Sequence, residues 1–239
     1  HYSWDGHNPE IHKKLAEARL LFPAWSEALG GRGASPYAAN AVAQVWERQG
    51  WGSHAANTTS LVGHMMHRFG SDTLKTEVLQ KVIHGEAICS LGYSEPGSGS
   101  DVFAAQCRAT FDGEGWLIEG TKMFTSGANI ADYVLMLTRT DTDAPKHKGL
   151  TMFIVPLKAE GVSVQPVYTF QDERTNITFY DGVRVPDSYR LGEVNRGVKV
   201  MAAGLELEHG GGFAKHQFAM LEAAEALCQS LQREGGSLI

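Results

Sequence analysis

The chain has 239 residues, 43% of them hydrophobic and 20% charged, and a formal net charge of -6 at pH 7. This composition is typical of a globular, water-soluble protein and argues against intrinsic disorder. Lysine and arginine form no basic block, which makes nucleic acid an unexpected partner, and no apolar run reaches the ~18 residues of a membrane span.

The N-terminal third is predicted to be helical. From about Pro9 to Glu86, apolar residues recur at intervals of three and four, the spacing of an amphipathic helix. Pro23, the Gly30–Gly33 turn and Gly70 divide this region into short helices. We therefore predict an N-terminal helical domain over residues 1–88.

The pattern changes to that of strands near Ile88 and returns to that of helices near Arg196. Between them lie short runs rich in Val, Ile, Thr and aromatic residues, separated by turns such as Asp112–Gly115. This order predicts an α+β protein with a middle β domain at 89–195 and a second helical region at 196–239.

Two polar segments point to a binding site. The first motif, Gly92–Asp101 (GYSEPGSGSD), combines three serines, three glycines and a proline, a composition that favours an exposed loop over a helix or a strand interior. Hydroxyls and bare amides in such a loop suit the polar edge of a planar heterocycle or a pyrophosphate. The second motif is Gly120–Gly127 (GTKMFTSG). The alternative for the first motif is a tight turn whose serines cap the local backbone.

The two motifs together resemble the flavin-binding middle domain of acyl-CoA dehydrogenases, in which they read roughly TEPGSGSD and G-x-K-x-W-x-T/S. Three more segments follow in the family's order, namely Lys148–Pro156, Gly161–Val164 and Phe179–Pro186. The resemblance extends from about Pro23 to Gln232 and is closest to bacterial members. It implies a barrel-like or sandwich-like middle domain that carries FAD, followed by the start of a C-terminal helical bundle. It also leads us to expect a chain truncated at both ends.

The resemblance implies a set of flavin contacts. Ser94 occupies the position that meets the N1/O2 side of the flavin, Ser100 lies near the pyrophosphate, and Ser126 contacts the N5/O4 edge. Phe124 replaces the family's usual tryptophan and keeps an aromatic face for the ring. The complete predicted cofactor set is Tyr93, Ser94, Gly99, Ser100, Phe124, Thr125 and Ser126.

Dehydrogenation of an acyl thioester also needs a base for the α-proton, a carboxylate whose pKa an apolar pocket raises. By resemblance this base is Glu208, although other family members place it in a loop that would lie beyond Ile239. Glu206, His209 and Ser100 are the predicted substrate contacts, with His209 where relatives have arginine. The alternative is that both glutamates are solvated helix charges.

Other types of site have weaker support in the sequence. His64 and His67 lie one helical turn apart, but no further ligand completes a metal site, and none is predicted. The three cysteines, Cys89, Cys107 and Cys228, are far apart and are expected to be free thiols in a reducing compartment.

The predicted function is FAD-dependent α,β-dehydrogenation of an acyl-CoA thioester, and a bulky or sterol-derived acyl group is the expected substrate class. The expected partners are the acyl-CoA, an electron-transferring flavoprotein, and further subunits in a homo- or hetero-oligomer. The expected location is the bacterial cytoplasm, with the mitochondrial matrix left open. Two alternatives are a non-catalytic subunit that pairs with an active partner and a flavin oxidase or monooxygenase on the same fold.

Overall fold

The computed structural model describes residues 7–49, 54–170, 174–208 and 214–232. The chain separates into two compact units, His1–Gly204 and Leu205–Ile239. The first unit contains the N-terminal helices and all the strands among the described residues.

The N-terminal helices are short, as the sequence predicts. They are α1 (Pro9–Glu17), α2 (Pro36–Arg48), α3 (His54–Phe69), α4 (Asp72–Leu74) and α5 (Gln80–Ile83), with a π-helical turn at Lys75–Leu79 and a 3-10 turn at Glu27–Leu29. Capping side chains explain two of the starts, because Asn8 accepts a hydrogen bond from Ile11 N and Ser71 accepts one from Leu74 N. Trp25 packs so closely on α3 that a Cβ at Gly63 would lie 2.3 Å from its ring.

Eight strands follow the helices. They are β1 (Cys89–Gly92), β2 (Arg108–Phe111), β3 (Trp116–Lys122), β4 (Tyr133–Arg139), β5 (Leu150–Pro156), β6 (Val162–Tyr168), β7 (Arg174–Val185) and β8 (Arg190–Leu191). They form one sheet in the order β6-β7-β3-β2-β4-β5-β8, and β1 pairs in parallel with β4. On the same edge of β4, β1 pairs with the first four residues and β2 pairs only with the final residue, Arg139.

One apolar core joins the two ends of this sheet. Ile118 of β3, Val183 of β7, Val134 of β4 and Phe153 of β5 are fully buried in the same cluster. Residues from sheet positions that are not neighbours can share a core only if the sheet folds over it, as in a sandwich or barrel. The predicted α+β class, with a helical N-terminal part and a middle β domain, is confirmed.

The helical region after the strands consists of α6 (Gly197–Glu208) and α7 (Ala214–Gln232). The first two turns of α6 belong to the first unit, where Val200 and Met201 are buried. The second unit contains the end of α6 and all of α7, and its residues 220–230 are exposed. The domain ranges 1–88, 89–195 and 196–239 remain predictions. Among the described residues, every helix is too short or too polar to cross a bilayer.

Candidate functional site

The first motif forms a tight turn immediately after β1. Glu95 N donates to Ser98 O at 2.7 Å, and Ser98 N donates to Glu95 O at 3.1 Å. Gly99 and Ser100 are exposed beyond this turn, whereas Ser94 is half-buried before it. A Cβ at Gly97 or Gly99 would meet open space, so neither close packing nor a positive φ requires a glycine there. These glycines leave bare backbone on an open surface, which suits a ligand that must approach the amides.

The second motif lies directly beside the first. Met123 N donates to Ser94 O at 2.9 Å, and this bond joins the end of β3 to the first motif. Phe124 then adopts a left-handed conformation, φ 60°, and the residue is 58% exposed. Ser126 is half-buried, with its Oγ 3.1 Å from Thr175 Oγ1. The structure thus brings together the two segments that carry Ser94 and Ser126, as the predicted site requires.

A buried ion pair connects the two motifs in the protein interior. Lys122 Nζ lies 2.7 Å from Glu95 Oε1 and also donates to Tyr93 O at 3.3 Å. Lys122 is fully buried, and the Glu95 side chain is only 7% exposed. Glu95 also accepts hydrogen bonds from Gln106 N at 2.7 Å and Cys107 N at 3.0 Å. These bonds satisfy both carboxylate oxygens and hold the turn in one position.

Sequence reasoning missed Glu95 and Lys122, although each lies within one of the two motifs. The available signal was a carboxylate and an ammonium in segments that had to meet in space. The structure also changes the alternative interpretation of the first motif. The turn exists and is closed by the backbone of Glu95 and Ser98, while the Glu95 carboxylate attaches it to the amides of Gln106 and Cys107. Ser98 Oγ does not cap this backbone, because it is buried with no hydrogen-bond partner among the described residues.

Thr125 attaches the second motif to the sheet, and its role as a cofactor contact remains a prediction. It is fully buried, and its Oγ1 lies 3.3 Å from Thr178 Oγ1. Its amide donates to Asn176 O at 2.9 Å, and Asn176 Nδ2 donates back to Thr125 O at 3.0 Å. Every polar group of Thr125 is therefore used to attach the second motif to β7. The neighbouring Phe124 and Ser126 remain accessible for a ligand.

The other predicted residues are placed less completely. Tyr93 lies close to α6, because a Cβ at Gly204 would be 3.5 Å from its Oη. Glu206 is exposed near the end of α6, and Glu208 is the final residue of that helix. The side chain of Glu208 lies outside the part of the chain that the structure describes. His209 lies outside the described residues, so the roles of Glu206, Glu208 and His209 remain predictions.

The buried cysteine near the site is held as a neutral thiol. Burial raises the pKa of the Cys107 thiol, which lies beneath the turn, to about 11; Lys122 lowers it and Glu95 raises it. His64 contributes to packing, with its Nδ1 2.9 Å from Ser60 O and its ring edge-on to Trp25. In the part of the chain that the structure describes, no group of three or more His, Cys, Asp or Glu residues is placed to hold a metal ion.

Comparison with family models decides the classification. The model for the acyl-CoA dehydrogenase N-terminal domain matches residues 1–86, and that for the acyl-CoA dehydrogenase middle domain matches residues 90–179. The chain belongs to the acyl-CoA dehydrogenase family. The family assigned by resemblance is therefore confirmed, and both motifs lie within the matched middle domain.

Individual relatives agree with this family assignment. Acyl-CoA dehydrogenase FadE29 of Mycobacterium tuberculosis is 32% identical over 214 residues, which cover 85% of this chain and 54% of that protein. A solved structure described as the Tcur3481-Tcur3483 steroid ACAD is 37% identical, with a TM-score of 0.77 over 84% of this chain and 52% of that one. The acyl-CoA dehydrogenase chain described here thus spans about half the length of these relatives.

The predicted cofactor, FAD, is confirmed at the level of the family. A glutaryl-CoA dehydrogenase from Mycobacterium smegmatis, solved in complex with FADH2, is 25% identical, with a TM-score of 0.69 over 84% of this chain and 51% of that one. The side chains found here fit such a group. Phe124 offers an exposed ring, Ser94 and Ser126 offer hydroxyls at two joined segments, and Ser98 has a buried hydroxyl without a partner among the described residues.

Proposed function

We propose that this protein is an FAD-dependent acyl-CoA dehydrogenase that oxidises the Cα–Cβ bond of an acyl-CoA thioester. The observation that carries the proposal is the junction of the two motifs through the Met123–Ser94 hydrogen bond and the buried Lys122–Glu95 pair. This junction creates one surface with an exposed aromatic ring and flanking hydroxyls. A flat, polar-edged redox ring needs both features.

The residues of the two motifs would hold the cofactor. Phe124 would cover one face of the isoalloxazine, and the hydroxyls of Ser94 and Ser126 would donate to its N1/O2 and N5/O4 edges. Gly99, Ser100 and Tyr93 would bind through the exposed end of the first motif. FAD, when bound, supplies the N5 atom that accepts the β-hydride with its electron pair.

Glu208 is the proposed base. Its carboxylate would take the α-proton, so that loss of a proton at Cα and of a hydride at Cβ leaves an α,β-unsaturated thioester. Glu206, His209 and Ser100 would contact the thioester or its CoA portion. His209 replaces the arginine of relatives, and a mostly neutral imidazole binds a phosphate less strongly than a guanidinium does.

The acyl group is proposed to be bulky or sterol-derived. The support is the relative described as a steroid ACAD, which is 37% identical to this chain. We further propose that the electrons leave through an electron-transferring flavoprotein and that the protein assembles with further subunits.

A second candidate is a subunit that works only with a partner chain. It is favoured by the double designation of the same relative, Tcur3481-Tcur3483, which names two components. The two candidates differ in one simple property. A catalytic protein is yellow and is bleached by substrate alone, whereas a partner-dependent subunit acquires both properties only with its second chain.

The test is an anaerobic absorbance titration of the purified protein with short-chain, long-chain and steroid side-chain acyl-CoAs. Bleaching of the flavin band by a thioester supports the dehydrogenase, and selective bleaching by the steroid thioester supports the bulky substrate. Rapid reoxidation of the reduced protein by O2 would identify an oxidase or monooxygenase instead.

The base is tested with Glu208→Gln, which is isosteric but cannot accept the α-proton. We expect this variant to retain FAD and to lose reduction by substrate by at least ~100-fold, the lower range for a general base. Glu222→Gln on α7 is the matched control, since Glu222 is exposed and has no proposed role. Unchanged reduction in Glu208→Gln would place the base elsewhere.

A further inference from the structure

Two arginines face each other across neighbouring strands of the sheet. Arg108 begins β2 and Arg139 ends β4, and the two are direct partners in the parallel register. Side chains at such paired positions lie on the same face, where like charges destabilise the sheet. Negative charge from the protein or from a ligand at this point would relieve the repulsion.

The protein supplies only part of what Arg139 needs. Arg139 is 8% exposed, and its Nε and Nη2 donate to the carbonyl oxygens of Ala105 and Phe103 at 3.2 Å and 2.6 Å. Its Nη1 is buried and has no hydrogen-bond partner among the described residues. Burial lowers the pKa of this guanidinium, while the charges of Glu95 and Asp141 raise it. Those two carboxylates thus offset the burial in part, but neither bonds to Nη1.

Arg108 and Arg139 line one cavity, together with a third cation. This cavity has a volume of about 480 Å³, and the third cation in its lining is Lys146. Lys146 Nζ is 2.6 Å from Asp101 Oδ2 and 61% exposed, so this ion pair can rearrange. Arg108 is exposed and makes no ion pair among the described residues.

The cavity continues toward the first motif. An adjoining cavity of about 340 Å³ is lined by Glu95, Pro96 and Gly97 of the turn. The two cavities share Ala104 and Gln106. Together they form a trough that begins beneath the first motif and ends at the three cations.

We propose that Arg108, Arg139 and Lys146 form a phosphate-binding subsite at the far end of this trough. This proposal rests on the proposed function, because the ligand of the subsite is one of the two nucleotides of that reaction, the CoA thioester or FAD. Both carry phosphate groups, and guanidinium and ammonium groups bind phosphate through charge-assisted hydrogen bonds. The bound phosphate adds negative charge beside the paired arginines, where Glu95 and Asp141 offset the burial of Arg139 only in part.

The direct test uses inorganic pyrophosphate, which needs neither flavin chemistry nor a thioester. Pyrophosphate should raise the melting temperature of the wild-type protein above that in sodium chloride of equal ionic strength. We expect Arg108→Gln, and independently Lys146→Gln, to shift the pyrophosphate midpoint about tenfold upward, as the loss of one charge-assisted hydrogen bond does. Arg184→Gln is the matched control, because Arg184 is also an exposed strand arginine but lies on β7, away from the trough.

Two paired titrations identify the source of the phosphate. If it belongs to CoA, the wild type should prefer CoA to 3′-dephospho-CoA, and Arg108→Gln should lose this preference. If it belongs to the cofactor, the wild type should prefer FAD to FMN, and Arg108→Gln should lose this preference. Equal pyrophosphate midpoints in the wild type and Arg108→Gln would overturn the proposal, and so would an Arg108→Gln variant that keeps both preferences. Neither result depends on flavin reduction, so a failed dehydrogenase assay leaves this subsite proposal standing.

Discussion

Replacement of Lys122 by methionine tests whether the buried ion pair holds the two motifs together. The change removes the ammonium from a fully buried position and leaves the Glu95 carboxylate with two backbone donors, Gln106 N and Cys107 N. Breaking a buried pair costs about 3–5 kcal/mol. The two remaining donors place Lys122→Met near the lower limit, at about 3 kcal/mol. Glu95→Gln leaves a buried ammonium with one carbonyl partner at 3.3 Å, so we expect about 4 kcal/mol.

The double variant separates pairing from mere packing. Glu95→Gln with Lys122→Met leaves no buried charge, so its cost should be about 2 kcal/mol instead of the sum of about 7. Urea unfolding, followed by tryptophan fluorescence, measures all three free energies. Retention of FAD after desalting shows whether the motifs are still joined. Lys158→Met is the matched control, since Lys158 pairs with Asp132 but is 80% exposed, and its loss should cost less than about 1 kcal/mol.

The reasoning fails under either of two outcomes. One is that Lys122→Met costs less than about 1 kcal/mol, which would mean that the pair is not desolvated. The other is that the two single losses add in the double variant, which would mean that Glu95 and Lys122 act independently.

Three further predictions concern single sites. Phe124→Gly should leave the free energy of unfolding unchanged or raise it by up to ~1 kcal/mol, because glycine relieves the left-handed strain, yet it should weaken FAD retention measured by flavin absorbance. The hydrogen bond from Glu114 N, and to a smaller degree that from Arg184, lowers the pKa of Asp112 to about 2. The contribution of the Asp112 carboxylate to stability is therefore present above pH ~4 and is lost as the pH falls toward 2. Asp112→Asn should therefore be less stable at pH 7 in urea titrations and lose less stability between pH 4 and 2. With Ellman's reagent at pH 8, the exposed Cys228 should react in the native protein, and the two buried thiols should react only after unfolding, because burial raises their pKa.

Each of these predictions has a result that would contradict it. Full FAD retention in Phe124→Gly would mean that the exposed ring does not cover the cofactor. For the loss of stability between pH 4 and 2, the control is Asp143→Asn, because Asp143 is an exposed aspartate. Equal losses in Asp112→Asn and Asp143→Asn would mean that Asp112 does not stabilise the fold. Rapid labelling of all three thiols in the native protein would show that the β1 and β2 regions open readily.

The sequence alone determined the family, the order of helices and strands, and the two motifs that meet at the proposed site. These features are local, because glycine, proline and hydroxyl content specify a loop, and apolar spacing specifies a helix or a strand. The order of five matching segments along the chain needed no knowledge of distances. Ser94 and Ser126 could therefore be named as site residues before their positions were known.

The tertiary structure alone decided which neighbours face the protein interior and which remain accessible. Thr125 and Ser126 are adjacent hydroxyl residues, but the left-handed turn at Phe124 and the pairing with Asn176 bury only the first. Glu95 and Lys122 are 27 residues apart, and Arg108 and Arg139 meet only through the sheet register. Such pairs depend on long-range strand pairing, which the composition of either segment does not specify, because a shift in register would give each residue a different partner.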